Sequence, residues 1–553
     1  NAYATGNVTG TSNVGGLIGY NEKGPISYIY ATGNVSGTTG VGGLVGYNAN
    51  SITYAYATGN VSGTTNVGGL AGYNGNVAIS NAYSTGTVSG TTNVGAFVGN
   101  NAGTVSASHW DTTIAGATGV GLNTNTFNAT GLATADMMDS LKFTGWNFTD
   151  IWWLSPGNTR PFLRSEYGPY IVNAHELQLM ALNLGAKYTL GANISMSELS
   201  NASGLWNTST GFVPIGSSTT PFTGTFNGQG KTITNLAINR PATDYVGLFG
   251  YIGSAGNVNN AGLAGGSVSG ANYVGGLAGY NAGTVSNTSS TVNVNGSNEV
   301  GGLIGYNDGT VTNSHYNIDS VLINSARHVT LGGLYGVQYT DWINNGKTLK
   351  IANYSSSLPL IGGYYQISSA QGLKDMLGFV DVSGYKFRLN SDINLADVKD
   401  ATGTTSDWHI PVFSATEFDG NGHTLSNLNL GLPNSKVGFI GTLSSGSTLK
   451  NIGLRDITVT GRNDVGGLVG NNDGSISISY VTGNVGGTDY VGGLVGKNNT
   501  GTINNSYASD NVSGVNYVGG LAGDNASGSI SNTYATGSVS GTTSVGGLVG
   551  SNA

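Results

Sequence analysis

Glu417 and Asp419 stand two positions apart in ATEFDGNGHTLSNL, residues 415–428, close enough to suggest a general acid–base pair acting on a polysaccharide. The chain holds a second copy of this stretch, PFTGTFNGQGKTITNL at 221–236, where Thr225, Phe226 and Asn227 replace Glu417, Phe418 and Asp419. A reaction that needs both carboxylates would not survive in that copy. Asp419 before Gly420 is therefore read as a turn former.

Histidine offers the next chemistry. The six are His109, His175, His315, His328, His409 and His423, and none falls in an HExxH-like spacing. His109 in SHWD and His315 in SHYN both follow the last clear repeat of a block, and they are read as ring-bearing ends of a stacked ladder. No EF-hand or Gly-Gly-x-Gly-x-Asp calcium pattern occurs, and no GxxxxGK[ST] phosphate loop. Catalytic, cofactor-binding and metal-binding residues are accordingly assigned as none, and no cofactor is expected.

Two further groups could bind rather than react. Thr5, Thr32, Thr58 and Thr85 recur in step and could line one face of the fold. Flat Thr arrays can order water, as in ice-binding proteins, but Thr also simply suits a β face, which is the favoured reading. Trp152, Trp153, Trp206 and Trp408 could stack on sugars. Trp206 and Trp408 precede similar segments at Pro214 and Pro411, an equivalence that favours core packing. N-x-[ST] sequons at Asn7, Asn34, Asn60 and Asn511 match what chance gives in so Asn- and Thr-rich a chain, and would mark an exposed face if glycosylated.

What must position these residues is visible in the composition. The 553 residues include 94 Gly, 10 Pro and no Cys, and only 8% are charged. Disordered chains are usually rich in charge and Pro, so the profile does not read as disorder. The formal net charge of −8, with no Lys/Arg run, disfavours nucleic acid and a polybasic membrane anchor. No stretch approaches the ~18 apolar residues of a membrane-spanning helix, and no signal peptide is visible. Both termini fall inside a repeat, so the chain is expected to be a segment of something longer.

The repeat organises everything else. Val-Gly-Gly-Leu-like blocks begin at Val14, Val41, Val67 and Val94, at spacings of 27, 26 and 27. They return at Val274 and Val300, then at Val465, Val491, Val518 and Val545, with weaker forms at Val246 and Val437. Asn follows in step at Asn21, Asn48, Asn74 and Asn101, and Tyr at Tyr3, Tyr30, Tyr56 and Tyr83. A longer period of 191–192 residues relates Phe226 to Phe418 and Val274 to Val465, and YIVNAHELQLM at 170–180 resembles YQISSAQGLKDM at 365–376. Three parts follow: 1–164, repeats with a closing segment; 165–362, a full super-repeat; and 363–553, a third part of the same plan.

Each unit holds three short apolar runs, too short for helices, and a Gly-Gly pair that would cost a helix about 1 kcal/mol per Gly relative to Ala. The expected fold is all-β: a parallel β-solenoid, a right-handed β-helix, of roughly 26–28-residue coils. Stacked at about 4.8 Å, roughly 20 such turns would give a rod on the order of 100 Å, with Val and Leu ladders inside and an Asn ladder at a corner. Short helical excursions are expected at the super-repeat junctions, at Asn173–Leu184 and Ser369–Leu377, with Ala133–Leu141 a third candidate. They are read as side excursions or caps, or else as joints between separate linked rods near 165 and 363.

The VGGLVGYN unit with its N-x-Y-A-T-G-N-V-S-G flank resembles the GLUG repeat of large bacterial and archaeal surface proteins, among them filamentous-haemagglutinin-like adhesins and non-catalytic regions of surface peptidases. Ten good copies cover about half the chain. Residues 418–428 are similar to a turn of pectin-lyase-like β-helices. The resemblance implies a secreted, extracellular, non-catalytic rod at the cell surface, used in adhesion or as a spacer. Its partners would be cell-surface or matrix glycans or proteins, or further copies stacked end to end as a filament or sheath. A carbohydrate-cleaving β-helix and an ice-binding surface are the remaining alternatives.

Overall fold

A computed structural model describes residues 2–404 and 407–553. The chain is a parallel β-solenoid. In each coil of the first block the backbone runs through four short strands, as in Ile26–Ala31, Val35–Ser36, Thr39–Gly42 and Val45–Asn48. The next coil repeats them as Ile52–Ala57, Val61–Ser62, Thr65–Gly68 and Ala71–Asn74. Every pairing between these coils is parallel and in register: Tyr30 opposite Tyr56, Val35 opposite Val61, Val41 opposite Val67, and Asn48 opposite Asn74.

Four strands appear where three apolar runs were expected, because the Val41–Val45 run is broken in its middle. Gly42 and Gly43 turn the chain there. A Cβ on Gly42 would lie 2.0 Å from the Val45 carbonyl oxygen, and one on Gly43 would lie 2.1 Å from that of Gly69. Only glycine permits so sharp a corner against the neighbouring coil. A second corner places Tyr28, Tyr54, Asn81 and Ala107 at positive φ, 43–56°.

The interior is thin. Ile52, Ala55, Leu70, Ala71 and Ile79 form one core with their counterparts, and Val35, Val41, Val61 and Val67 form another. Each coil buries its apolar face almost wholly against the coils beside it, which makes stability a sum of nearest-neighbour terms.

The chain divides into two compact units, Asn1–Ile215 with Gly224–Asn239, and Gly216–Thr223 with Arg240–Ala553. In the first, the ladders of the opening coils end at Phe127–Leu132, and another set starts at Tyr170–Ile171. In the second, one set ends at Gly333–Leu334 and another starts with Leu360–Ile361. The three-part division 1–164, 165–362 and 363–553 describes repeat periodicity, whereas the two units describe packing.

Helices occur beside these breaks. Ala174–Gln178, capped by the Asn173 side chain, runs into a 3-10 turn at Leu179–Leu182. Ala370–Met376, capped by Ser369, continues into Leu377–Phe379. The third candidate is not an α-helix but two 3-10 turns, Asp136–Met138 and Ser140–Lys142, parted by Asp139 in an extended conformation. Two further helices, Gly336–Asn344 and the single turn Thr112–Ala115, were not expected from the sequence. Among the described residues no helix is long and apolar enough to cross a membrane.

Candidate functional site

The repeated side chains form ladders. Nδ2 of each corner Asn donates to Oδ1 of the next: Asn21 to Asn48 at 2.8 Å, Asn48 to Asn74 at 2.9 Å, Asn74 to Asn101 at 2.8 Å. The ladder extends to Asn123, only 22 residues on, which the 26–28-residue period did not reveal. Asn472, Asn498, Asn525 and Asn552 repeat the arrangement. Buried amides are satisfied in this way without any charge.

Tyrosines stack as well. Tyr3, Tyr30, Tyr56 and Tyr83 lie 4.8–5.1 Å apart with rings within 8° of parallel. His109 is the next rung, opposite Tyr83. Tyr480, Tyr507 and Tyr534 form an equivalent column at 5.1 and 4.8 Å. A stacked ring spends its faces on its neighbours, so such a column presents ring edges and hydroxyls outward.

The first column is covered. Trp152 packs on Tyr56 and Tyr83, and Trp146 on Tyr83 and His109. Tyr83 donates to the Pro161 carbonyl at 2.6 Å, and Thr85 to that of Ser203 at 2.5 Å. Thr58 and Thr85 are buried, so the column from Thr5 to Thr85 is not a flat exposed array, and the water-ordering alternative loses its surface. Trp206 and Trp408 are buried too, which agrees with core packing.

The cover carries the strongest charge interactions of the first unit. Arg160 meets Asp111 at 2.6 Å with both side chains fully buried. His175 lies between Glu166, at 2.8 Å, and Glu198, at 3.1 Å, and Tyr56 donates to Glu166 at 2.9 Å. Burial alone would lower the His175 pKa, but the carboxylates of Glu198 and Glu166 bring it up to about 10. Sequence spacing held no signal for this clasp, since the residues belong to no common period.

The other histidines behave differently. Burial brings His109 and His315 each down to about 4, so both are neutral rings, with Nδ1 facing the Thr130 and Gly332 carbonyls. His409 is likewise lowered to about 4 by burial. His423 lies 3.3 Å from Asp392. Among the described residues no group of three or more His, Cys, Asp or Glu could hold a metal ion.

Glu417 and Asp419 share one strand with cations on both sides. Lys450 reaches Glu417 at 2.9 Å, and Arg388 reaches Asp419 at 2.9 Å. Burial pushes both carboxyls up. Hydrogen bonds from Tyr364 and Lys450 to Glu417, and from Asn451, the Asn421 backbone and Arg388 to Asp419, leave both below their ordinary values. Both are therefore ionised at neutral pH, the wrong state for a general acid.

The chain carries the GLUG motif. It matches at residues 10–36, 37–62 and 487–513, each one full coil. Over 112 residues, 20% of the chain, it is 44% identical to "Halomucin" of Haloquadratum walsbyi, covering 1% of that protein. Over 82 residues, 14% of the chain, it is 45% identical to a protein of Evansella cellulosilytica described as a Gly-rich membrane protein, covering 10% of it. The matched segments thus span a small part of either relative. A crystal structure of a Bacteroides ovatus protein described as an immunoglobulin A1 protease aligns with 34% of the chain and 62% of its own, at 24% identity and a TM-score of 0.29. A score that low carries no argument about the GLUG chain.

Proposed function

We propose that these GLUG coils form a non-catalytic, rigid segment of an extracellular surface protein, serving adhesion or acting as a structural spacer. The observation that carries the reading is the saturation of the fold by neutral ladders. Asn amides, Tyr rings and parallel backbone bonds satisfy one another from coil to coil, leaving a stiff and weakly charged surface. Repeated identical rungs suit weak, multivalent contacts to surface glycans or proteins. The relatives named Halomucin and Gly-rich membrane protein support a place at the cell surface. The ion-paired state of Glu417 and Asp419 supports a non-catalytic reading.

Two measurements test this. Protease shaving of intact producing cells, followed by mass spectrometry, is expected to release peptides of this sequence; their recovery only from lysed cells would overturn the surface assignment. Incubation with a panel of polysaccharides is expected to yield no shortened products, and turnover lost in Glu417→Gln would reinstate the carbohydrate-cleaving reading.

A further inference from the structure

Lids close one face of the coils: Trp152 packs on Tyr83, and Trp342 packs edge-on against His315. A different sheet, built from Phe249–Ile252, Ala278–Asn281 and Ile304–Asn307, carries a further column of rings. Tyr251 lies opposite Tyr280, and Tyr280 opposite Tyr306. Their centroids are 4.4 and 5.4 Å apart, with the rings 11° and 24° from parallel. All three are half-buried, with edges and hydroxyls outward.

The coil does not need rings here. At the same place in the repeat, later coils stack Asn471, Lys497 and Asp524. What tyrosine adds is an oxidisable phenol, and Tyr280 is arranged to lose its proton together with an electron. Its hydroxyl donates to the carboxylate of Asp308, an exposed residue that can pass the proton on to water. Burial, and then this hydrogen bond, hold the Tyr280 proton well above the usual phenol value, so the resting group is a neutral phenol with its proton acceptor in place.

The two neighbours of Tyr280 are not equal. Lys436 sets its ammonium 5.2 Å from the Tyr306 ring centre, and a cation over the face disfavours an electron-poor ring. Tyr251 is nearer to Tyr280 and closer to parallel with it.

We propose that Tyr251 and Tyr280 form an oxidative cross-linking site, at which a one-electron oxidant of the peroxidase class, using hydrogen peroxide, joins two successive coils by a dityrosine bond. Each phenol gives up one electron and one proton, that of Tyr280 to Asp308. The two radicals join at the ring carbons beside the hydroxyls, Cε to Cε. The hydrogen on each of those carbons then passes through solvent to the phenol oxygen, which restores both rings and both hydroxyls. One peroxide takes up the two electrons and two protons and leaves as two waters. The rings must swing toward each other to bond, and a half-buried column leaves them that freedom. The product would fix by a covalent bond a coil–coil contact otherwise held by hydrogen bonds and packing.

Two other columns serve as comparisons. Tyr20, Tyr47 and Tyr73 stack at 4.8 and 4.7 Å, but among the described residues no carboxylate accepts from them. Tyr30, Tyr56 and Tyr83 stack at 4.8 and 5.1 Å and are at most 3% exposed.

The test is treatment of the dilute full chain with a haem peroxidase and limiting hydrogen peroxide, followed by dityrosine fluorescence of the monomer fraction and mass spectrometry of its peptides. The expected result is an intramolecular Tyr251–Tyr280 linkage, formed ahead of Tyr20–Tyr47 at a rate independent of chain concentration, with the buried column unlinked. Tyr280→Phe keeps a stacking ring and is expected to abolish that linkage. Asp308→Asn is expected to slow it about tenfold or more while leaving Tyr20–Tyr47 coupling unchanged. Circular dichroism checks that both variants fold. Absence of the linkage, a product found only between chains, earlier coupling at Tyr20–Tyr47, or a rate indifferent to Asp308→Asn would overturn the proposal.

Discussion

The guanidinium of Arg160 and the carboxylate of Asp111, 49 residues apart, meet at 2.6 Å with neither exposed to solvent. Arg160 also donates to the carbonyls of Gly204 and Ala202, and Asp111 also accepts from Thr134. One ion pair thus ties the last full coil of the first block to its cover. Breaking a buried pair strands the remaining charge, so Arg160→Met and Asp111→Asn are each expected to cost about 3–5 kcal/mol. Urea unfolding followed by tryptophan fluorescence would measure it. The double variant is expected to recover part of that loss, and additive losses would mean that the two groups act separately.

His175 makes the first unit pH-dependent. Its folded pKa, about 10, lies above the ordinary histidine value. The stabilisation is therefore complete below about pH 6.5 and disappears as pH rises toward 10. The difference in melting temperature between the native chain and His175→Gln should be largest at pH 6 and shrink steadily by pH 10. A constant difference would show that the carboxylates of Glu166 and Glu198 do not hold the charge.

Asp510 also loses stability as pH rises, in a lower window and because here the charged form is the unfavourable one. It takes the rung of Gly483, is buried, and its carboxylate oxygens have no hydrogen-bond partner among the described residues. Burial raises its pKa to about 7. For a carboxyl raised in the folded state, ionisation destabilises: the loss begins near pH 4 and is complete above about pH 7, on the order of 2–4 kcal/mol. Asp510→Asn is expected to be more stable than the native chain at pH 8 and to lose that advantage near pH 4. Equal unfolding midpoints at both pH values would contradict this.

The Asn ladder should fail rung by rung. Asn498 bridges Asn472 and Asn525 by bonds of 2.8 and 2.7 Å. Asn498→Ala leaves a donor and an acceptor of its neighbours unmet, a cost of about 1–3 kcal/mol. Hydrogen exchange should localise the first loss to the coils beside Asn498, and uniform loss across both units would argue against nearest-neighbour stability.

Much of this fold is legible in the sequence, because in a solenoid sequence equivalence and spatial contact are the same relation. Val41 repeats at Val67, and Val41 stacks on Val67. Period, parallel pairing, Asn ladder and Tyr column all follow from residues 26–28 apart having to touch. Even the placing of His109 one rung beyond Tyr83 could be read from its spacing.

What the tertiary structure alone decided is everything that crosses the period. Thr85 looked like part of an exposed row until a cover from residues 146–206 came down on it. Arg160 finds Asp111, and His175 finds Glu166, Glu198 and Tyr56, at separations that no repeat links. The Gly42-Gly43 corner split one apolar run into two strands because a neighbouring carbonyl leaves no room for a Cβ, a constraint set by the adjacent coil. Repetition specifies the stack, since each rung meets a copy of itself. The lids meet unlike partners, and only the folded chain determines which faces they close.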